Sequence, residues 1–145
     1  MSIDAQTYRD AALERIGEAR SLYEQQMYTA AIYLAGRAVE CVLRSYLTDD
    51  PLETGHDLRA LLRDSGFLDL LPARHRSAVA ESLGEVWSRW ESNHRYRSYL
   101  ATKRFLTRRK VDLRSNGDHV KEPARMTTEH AMRIVERGAA QWRAV

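Results

Sequence analysis

"YTAAIYLAGRAVECVLRSYL", Tyr28 to Leu47, is the stretch that decides the fold. From Ala30 onward it is apolar nearly all round a helix. Its polar residues Arg37, Glu40 and Arg44 fall at i, i+3 and i+7, a single narrow stripe. A helix of that kind must be surrounded, so it belongs at the centre of a bundle. Thr29 is placed to cap it over about Ala30 to Leu47. Gly36 permits a close approach there, at some cost in helix stability. Cys41, the one cysteine, reads as a small core residue and has no partner for an internal disulfide.

Helical spacing recurs on both sides. Tyr8, Ala12, Ile16, Ala19 and Tyr23 define a first amphipathic helix from about Asp4 to Gln26. "TDDPLETG" interrupts the pattern with acids, Pro51 and Gly55. Asp49 and Asp50, beside Pro51, read as turn residues rather than metal ligands. "HDLRALLRDSGF" resumes as a short helix with Leu58, Leu61 and Leu62 inward and Gly66 at its C-terminal end. Pro72 opens a fourth helix whose inner stripe is Val79, Leu83, Val86 and Trp90. Residues 101–123 form a basic, weakly periodic connector containing the turn signal "SNGD". Thr127 or Thr128 caps a last helix, about 127–143, with Ala131, Val135, Gly138 and Trp142 on one face. No stretch alternates with period two, and no linker or repeat divides the chain. The expectation is one all-α domain over residues 1–145, with its core at about 4–100: an antiparallel up-down bundle of four to five helices.

Hydrophobic residues make up 43% of the chain and charged residues 30%, a globular balance. No apolar run approaches the roughly 18–20 residues of a membrane span. "MSIDAQTYRD" has no apolar signal core. A cytoplasmic protein with no membrane partner is expected. The formal charge of +3 is unevenly spread: Trp87 to Lys110 holds eight Arg or Lys against Glu91 alone. Concentrated positive charge suits a polyanionic partner, or simply a solvated basic surface. A DNA-binding reading would rest on this charge alone.

The basic segment begins in "VWSRWESNHRYRSYL", Val86 to Leu100. No Gly-rich phosphate loop, H-E-x-x-H or cysteine cluster accompanies it, so no metal or cofactor is expected. What remains is arginine and histidine chemistry. A neutral His near its ordinary pKa of about 6.5 can take the 2′-OH proton of RNA, and a charged one can protonate the leaving 5′-oxygen. A guanidinium can grip the phosphate and stabilise developing charge. Arg89 and His94 stand five positions apart, about 140° round an ideal helix. They converge if the helix bends or ends near Ser92–Asn93, if the Arg89 side chain wraps round, or across a dimer axis. The same spacing recurs at Arg125 and His130, across the expected start of the last helix and without flanking aromatics.

The chain resembles the HEPN family (higher eukaryotes and prokaryotes nucleotide-binding). The likeness rests on "YTAAIYLAGRAVECVLRSYL", on "GHDLRALLRDSGF" and on "RWESNHRY", which fits the R-x4-H-x-Y motif of HEPN toxins. It spans roughly Tyr8 to Leu100. The resemblance implies a metal-independent endoribonuclease, a toxin or defence effector, with a composite site at a homodimer interface. In that site Arg89 binds phosphate, His94 acts as acid or base, and Tyr96 supports them. In toxins paired with a minimal nucleotidyltransferase the motif tyrosine carries AMP, which makes Tyr96 the matching residue. An antitoxin of that kind, or another defence protein, is then a partner. Arg95, Arg97, Lys103, Arg104, Arg108, Arg109 and Lys110 would extend the RNA path. Trp87 and Trp90 are expected to anchor the dimer. Trp90 also departs from the small polar residue that many toxins carry after the arginine. The family includes inactive bundles, so a non-catalytic module binding a protein or nucleotide is the alternative. His56 matches the "H-D-L" histidine and reads as helix-start structure.

Overall fold

The computed structural model describes residues 3–47, 57–91, 97–109 and 119–144. Among these are seven helices and no strand: α1 (Ala5–Glu24), α2 (Tyr28–Arg44), α3 (Leu58–Ser65), α4 (Phe67–Leu70), α5 (Ala73–Arg89), α6 (Tyr99–Arg108) and α7 (Lys121–Ala144). The fold is the expected all-α bundle, with α3, α4 and α6 as short additions to four long helices.

Asp4 caps α1 by accepting from the Thr7 amide at 2.8 Å. Tyr8, Ala12 and Ala19 are its buried face. The chain then reverses through residues 25–27, where Gln26 takes a left-handed φ of 64°. That reversal sets α2 beginning at Tyr28, with Met27 at the cap position and no side-chain cap. Thr29 is therefore inside the first turn and not the N-cap. Burial of Tyr28 beside Tyr23, ring centroids 5.6 Å apart, draws the helix start back to that residue.

Helix α2 lies against α1, α3 and α7, and α7 lies in turn against α5 and α1. The stripe read as polar on α2 is largely buried: Glu40 accepts from Arg37 at 3.0 Å and from Arg44 Nε at 3.1 Å. Gly138 lets Val42 approach α7 closely. The Tyr46 hydroxyl donates to the Gly138 carbonyl at 2.7 Å, and the Trp142 indole donates to Ser45 Oγ at 3.0 Å. These bonds fix the far end of α7 on α2.

Asp57 caps α3 by accepting from the Arg59 and Ala60 amides. Gly66, at φ 63°, ends α3 in the left-handed region that glycine enters freely. Pro72 is the cap position of α5. Val79, Leu83, Val86 and Trp90 are all buried, as their spacing requires.

Two further boundaries differ from the sequence reading. The stretch taken as a connector contains α6, capped by Ser98 and burying Thr102, Phe105 and Leu106. A threonine at one of three core positions hides that helix from an apolar-periodicity reading. Helix α7 begins at Lys121, well before Thr127 and Thr128. Pro123 fits its first turn, where no intrahelical N–H is needed. Thr127 donates its hydroxyl back to the Pro123 carbonyl at 2.7 Å, so it is a buried helical residue and not a cap.

Candidate functional site

The end of α5 sends successive side chains to three different surroundings. Ser82, Glu85 and Arg89 share one helical stripe. On α7, Met126, His130 and Arg133 share another. Together they form a polar seam between the two helices. Ser82 Oγ lies 3.0 Å from His130 Nδ1, and Arg133 donates to the same hydroxyl at 3.4 Å. Arg89 pairs with the Glu85 carboxylate and donates to the Glu85 carbonyl at 2.9 Å. It also meets Ser88 Oγ at 3.2 Å and Met126 Sδ at 3.5 Å. Its Nε is buried without a hydrogen-bond partner.

Burial holds the His130 pKa below its ordinary value. Arg133 and Arg89 push the same way, opposed by Glu85 and Glu81. His130 thus belongs to the electrostatic neighbourhood of Arg89. The spacing Arg125–His130 does not straddle a helix start, since both residues lie within α7. Arg125 is committed to Glu122 and to Glu129, the latter at 2.8 Å.

Helix α5 stops at Arg89. Trp90 is extended, at φ −122° and ψ 145°. Its indole turns to α2, where Nε1 donates to the Tyr33 carbonyl at 3.0 Å and the ring covers Gly36. At 3% exposure Trp90 belongs to the chain's own core and is not available to anchor a dimer. This also accounts for a large side chain after the motif arginine: Gly36 leaves it room.

Glu91 turns the third way. It accepts from Arg97 at 3.4 Å and lies 3.9 Å from Arg109. Both guanidiniums also lie over the Phe105 ring, at 4.3 and 4.9 Å from its centroid. Arg97 and Arg109 thus tie α6 to the end of α5. Arg104 and Arg108 on α6 are exposed and Lys103 is half-buried. His94, Arg95, Tyr96, Lys110 and His56 lie outside the described residues.

Beside Glu91 is a cleft of about 500 Å³ between the start of α3 and the ends of α5 and α6. Trp87 lines it, with Arg59 3.6 Å and Arg109 4.7 Å from its ring centroid. The sequence reading missed both this cleft and the α5–α7 seam. The seam's signal was present, as polar Ser82, Glu85 and Arg89 at i, i+3 and i+7 on one helix and His130 and Arg133 at i and i+3 on the other. Among the described residues, no cluster of His, Cys, Asp or Glu is placed to hold a metal ion. Among those residues, too, no helix is long and apolar enough to cross a membrane.

The described residues thus form an all-α bundle whose fifth helix closes on a nearly buried arginine. The HEPN domain model matches residues 5–138. The chain belongs to the HEPN family. No curated protein and no solved structure matches it.

Proposed function

We propose that this HEPN chain is a metal-independent endoribonuclease of the cytoplasm, a toxin or defence effector, working as a homodimer. Arg89 binds the scissile phosphate, His94 moves the proton and Tyr96 supports them. The observation that carries this reading is the end of α5 at Arg89. The angle of about 140° that would separate Arg89 from His94 on a continuous helix has no force once Trp90 is extended. The unpartnered Arg89 Nε adds a donor for a phosphate oxygen.

In this chemistry His94 takes the proton of the ribose 2′-OH, which attacks the adjacent phosphorus. The bond to the 5′-oxygen breaks, the leaving oxygen receives a proton from the now-charged histidine, and a 2′,3′-cyclic phosphate remains. Arg89 offsets the charge that develops on the phosphoryl oxygens. A minimal nucleotidyltransferase that modifies Tyr96, or another defence protein, is the partner that would restrain such an activity.

One observation favours the non-catalytic alternative, a module binding a protein or nucleotide. Arg89 is only 8% exposed and is already paired with Glu85. The test is incubation of wild-type, Arg89→Ala and His94→Ala protein with tRNA and mRNA in EDTA. Cutting by the wild type alone, leaving 2′,3′-cyclic phosphate ends, is expected. A wild type that never cuts RNA leaves the module reading in its place.

A further inference from the structure

The cleft beside Trp87 lies outside the residues assigned to strand cleavage, and its chemistry is specific. A guanidinium 3.6 Å from the centroid of an indole occupies the space that a stacked nucleobase would take. That guanidinium belongs to Arg59, an exposed residue with no carboxylate partner among the described residues. Arg59 can therefore leave the ring for a phosphate without breaking an ion pair. Arg109 is held differently: it donates to the Trp87 carbonyl at 3.3 Å and faces Glu91. It keeps its charge at the cleft while Arg59 moves. Exposed Arg104 and Arg108 precede Arg109 on α6, so further positive charge stands along that helix. Asp57 and Glu91 add carboxylates at the rim, where a base's exocyclic amino group finds acceptors. An aromatic face, a movable guanidinium and further positive charge along α6 suit a nucleotide unit better than an apolar peptide.

We infer that the cleft takes one nucleobase of single-stranded RNA, stacked on Trp87 where Arg59 now lies, with Arg59 turned to the flanking phosphate. This rests on the ribonuclease reading and adds a stacking contact for the bound strand on the face of α5 that carries Trp87.

The test uses fluorescence anisotropy of a fluorescein-labelled, mixed-sequence RNA of about 12 nucleotides, a length within the span of known single-strand sites. The protein carries His94→Ala, so the probe is not consumed. Adding Trp87→Ala should weaken RNA binding on the order of 10- to 100-fold, the range for removal of one base–aromatic stack. Trp87→Phe should retain most of the affinity, and Arg59→Ala should lose several-fold. Heparin, a polyanion without bases, should bind the Trp87 variants as it binds their parent. Undiminished RNA affinity in Trp87→Ala overturns the inference and leaves the cleft to a protein partner. Equal losses for RNA and heparin overturn it in favour of a plain anion surface. If Trp87→Ala fails to fold by circular dichroism, Trp87→Leu keeps the apolar volume without the π-face and is read the same way. Cleavage is not measured here, so the two readings fail separately. A wild type that cuts no RNA, with Trp87 still governing binding, sinks the ribonuclease and supports the base site.

Discussion

Trp90 fills the space that Gly36 leaves open on α2, and its indole N–H is bonded to the Tyr33 carbonyl one turn away. A methyl group at residue 36 would overlap the indole ring itself. Gly36→Ala should therefore destabilise the fold, by about 1–3 kcal/mol for an overpacked core site. Trp90→Ala should cost about 3–5 kcal/mol through the cavity it leaves. Urea denaturation of both variants checks this. If Gly36→Ala unfolds with the wild-type midpoint, the indole is not confined as described.

The Glu85–Arg89 pair makes a second prediction. The Arg89 side chain is 10% exposed and that of Glu85 34%, so removing the carboxylate strands a nearly buried charge. Glu85→Gln should cost about 1–3 kcal/mol, below the full penalty for a wholly buried pair because Glu85 reaches solvent. Adding Arg89→Met should recover much of that loss, since the stranded charge goes with it. The double-mutant cycle in denaturant measures the coupling, and additive losses would show that the two side chains do not act as a pair.

The pH dependence follows from the α5–α7 seam. Burial depresses the His130 pKa, so the folded state binds fewer protons there than the unfolded chain, whose value is about 6.5. The contribution of neutral His130 is complete above about pH 6.5 and is lost as pH falls through the lower folded value. His75 shifts in the same direction and adds a shared background. His130→Gln should flatten the fall in melting temperature between about pH 7 and 5. It should leave RNA cleavage nearly unchanged if His94 is the acid–base group. A cleavage defect confined to His130→Gln would move the site to α7.

Much of this architecture was legible because apolar spacing on a single helix carries its own evidence. The all-round apolar run of α2 and the stripe from Val79 to Trp90 both needed no partner to be read. What was not legible depends on relations between helices. The arginine–histidine spacing suggested a chemistry, but nothing near Arg89 in sequence announced that Met126 and His130 would lie across from it. Trp90 looked like an interface anchor because its receptor, Gly36, is on another helix. Helix α6 was hidden because Thr102 takes a core position, and Thr127 misled because a buried threonine bonded to its own helix looks like a cap. Arg97 and Arg109 counted as free charge until Glu91 and Phe105 were placed beside them.

That last distinction separates the basic residues into two groups with different expected behaviour. Arg104 and Arg108 are exposed and Lys103 is half-buried, and none is paired with a carboxylate among the described residues. Neutralising these three should weaken single-stranded RNA binding and lower the salt slope by about 2, at about 0.7 for each phosphate no longer neutralised. The variant's melting temperature should stay near wild type, because solvated charges contribute little to folding. Arg97 and Arg109 should behave in the opposite way. Each packs its guanidinium on Phe105 and faces Glu91, so Arg97→Ala should destabilise the fold by about 1–2 kcal/mol as stacking and pairing both disappear. Its effect on the salt slope should be small. Anisotropy titrations at several salt concentrations, with melting curves on the same samples, separate the groups. A triple variant that melts early, or one whose slope does not move, would show that α6 is not the RNA path.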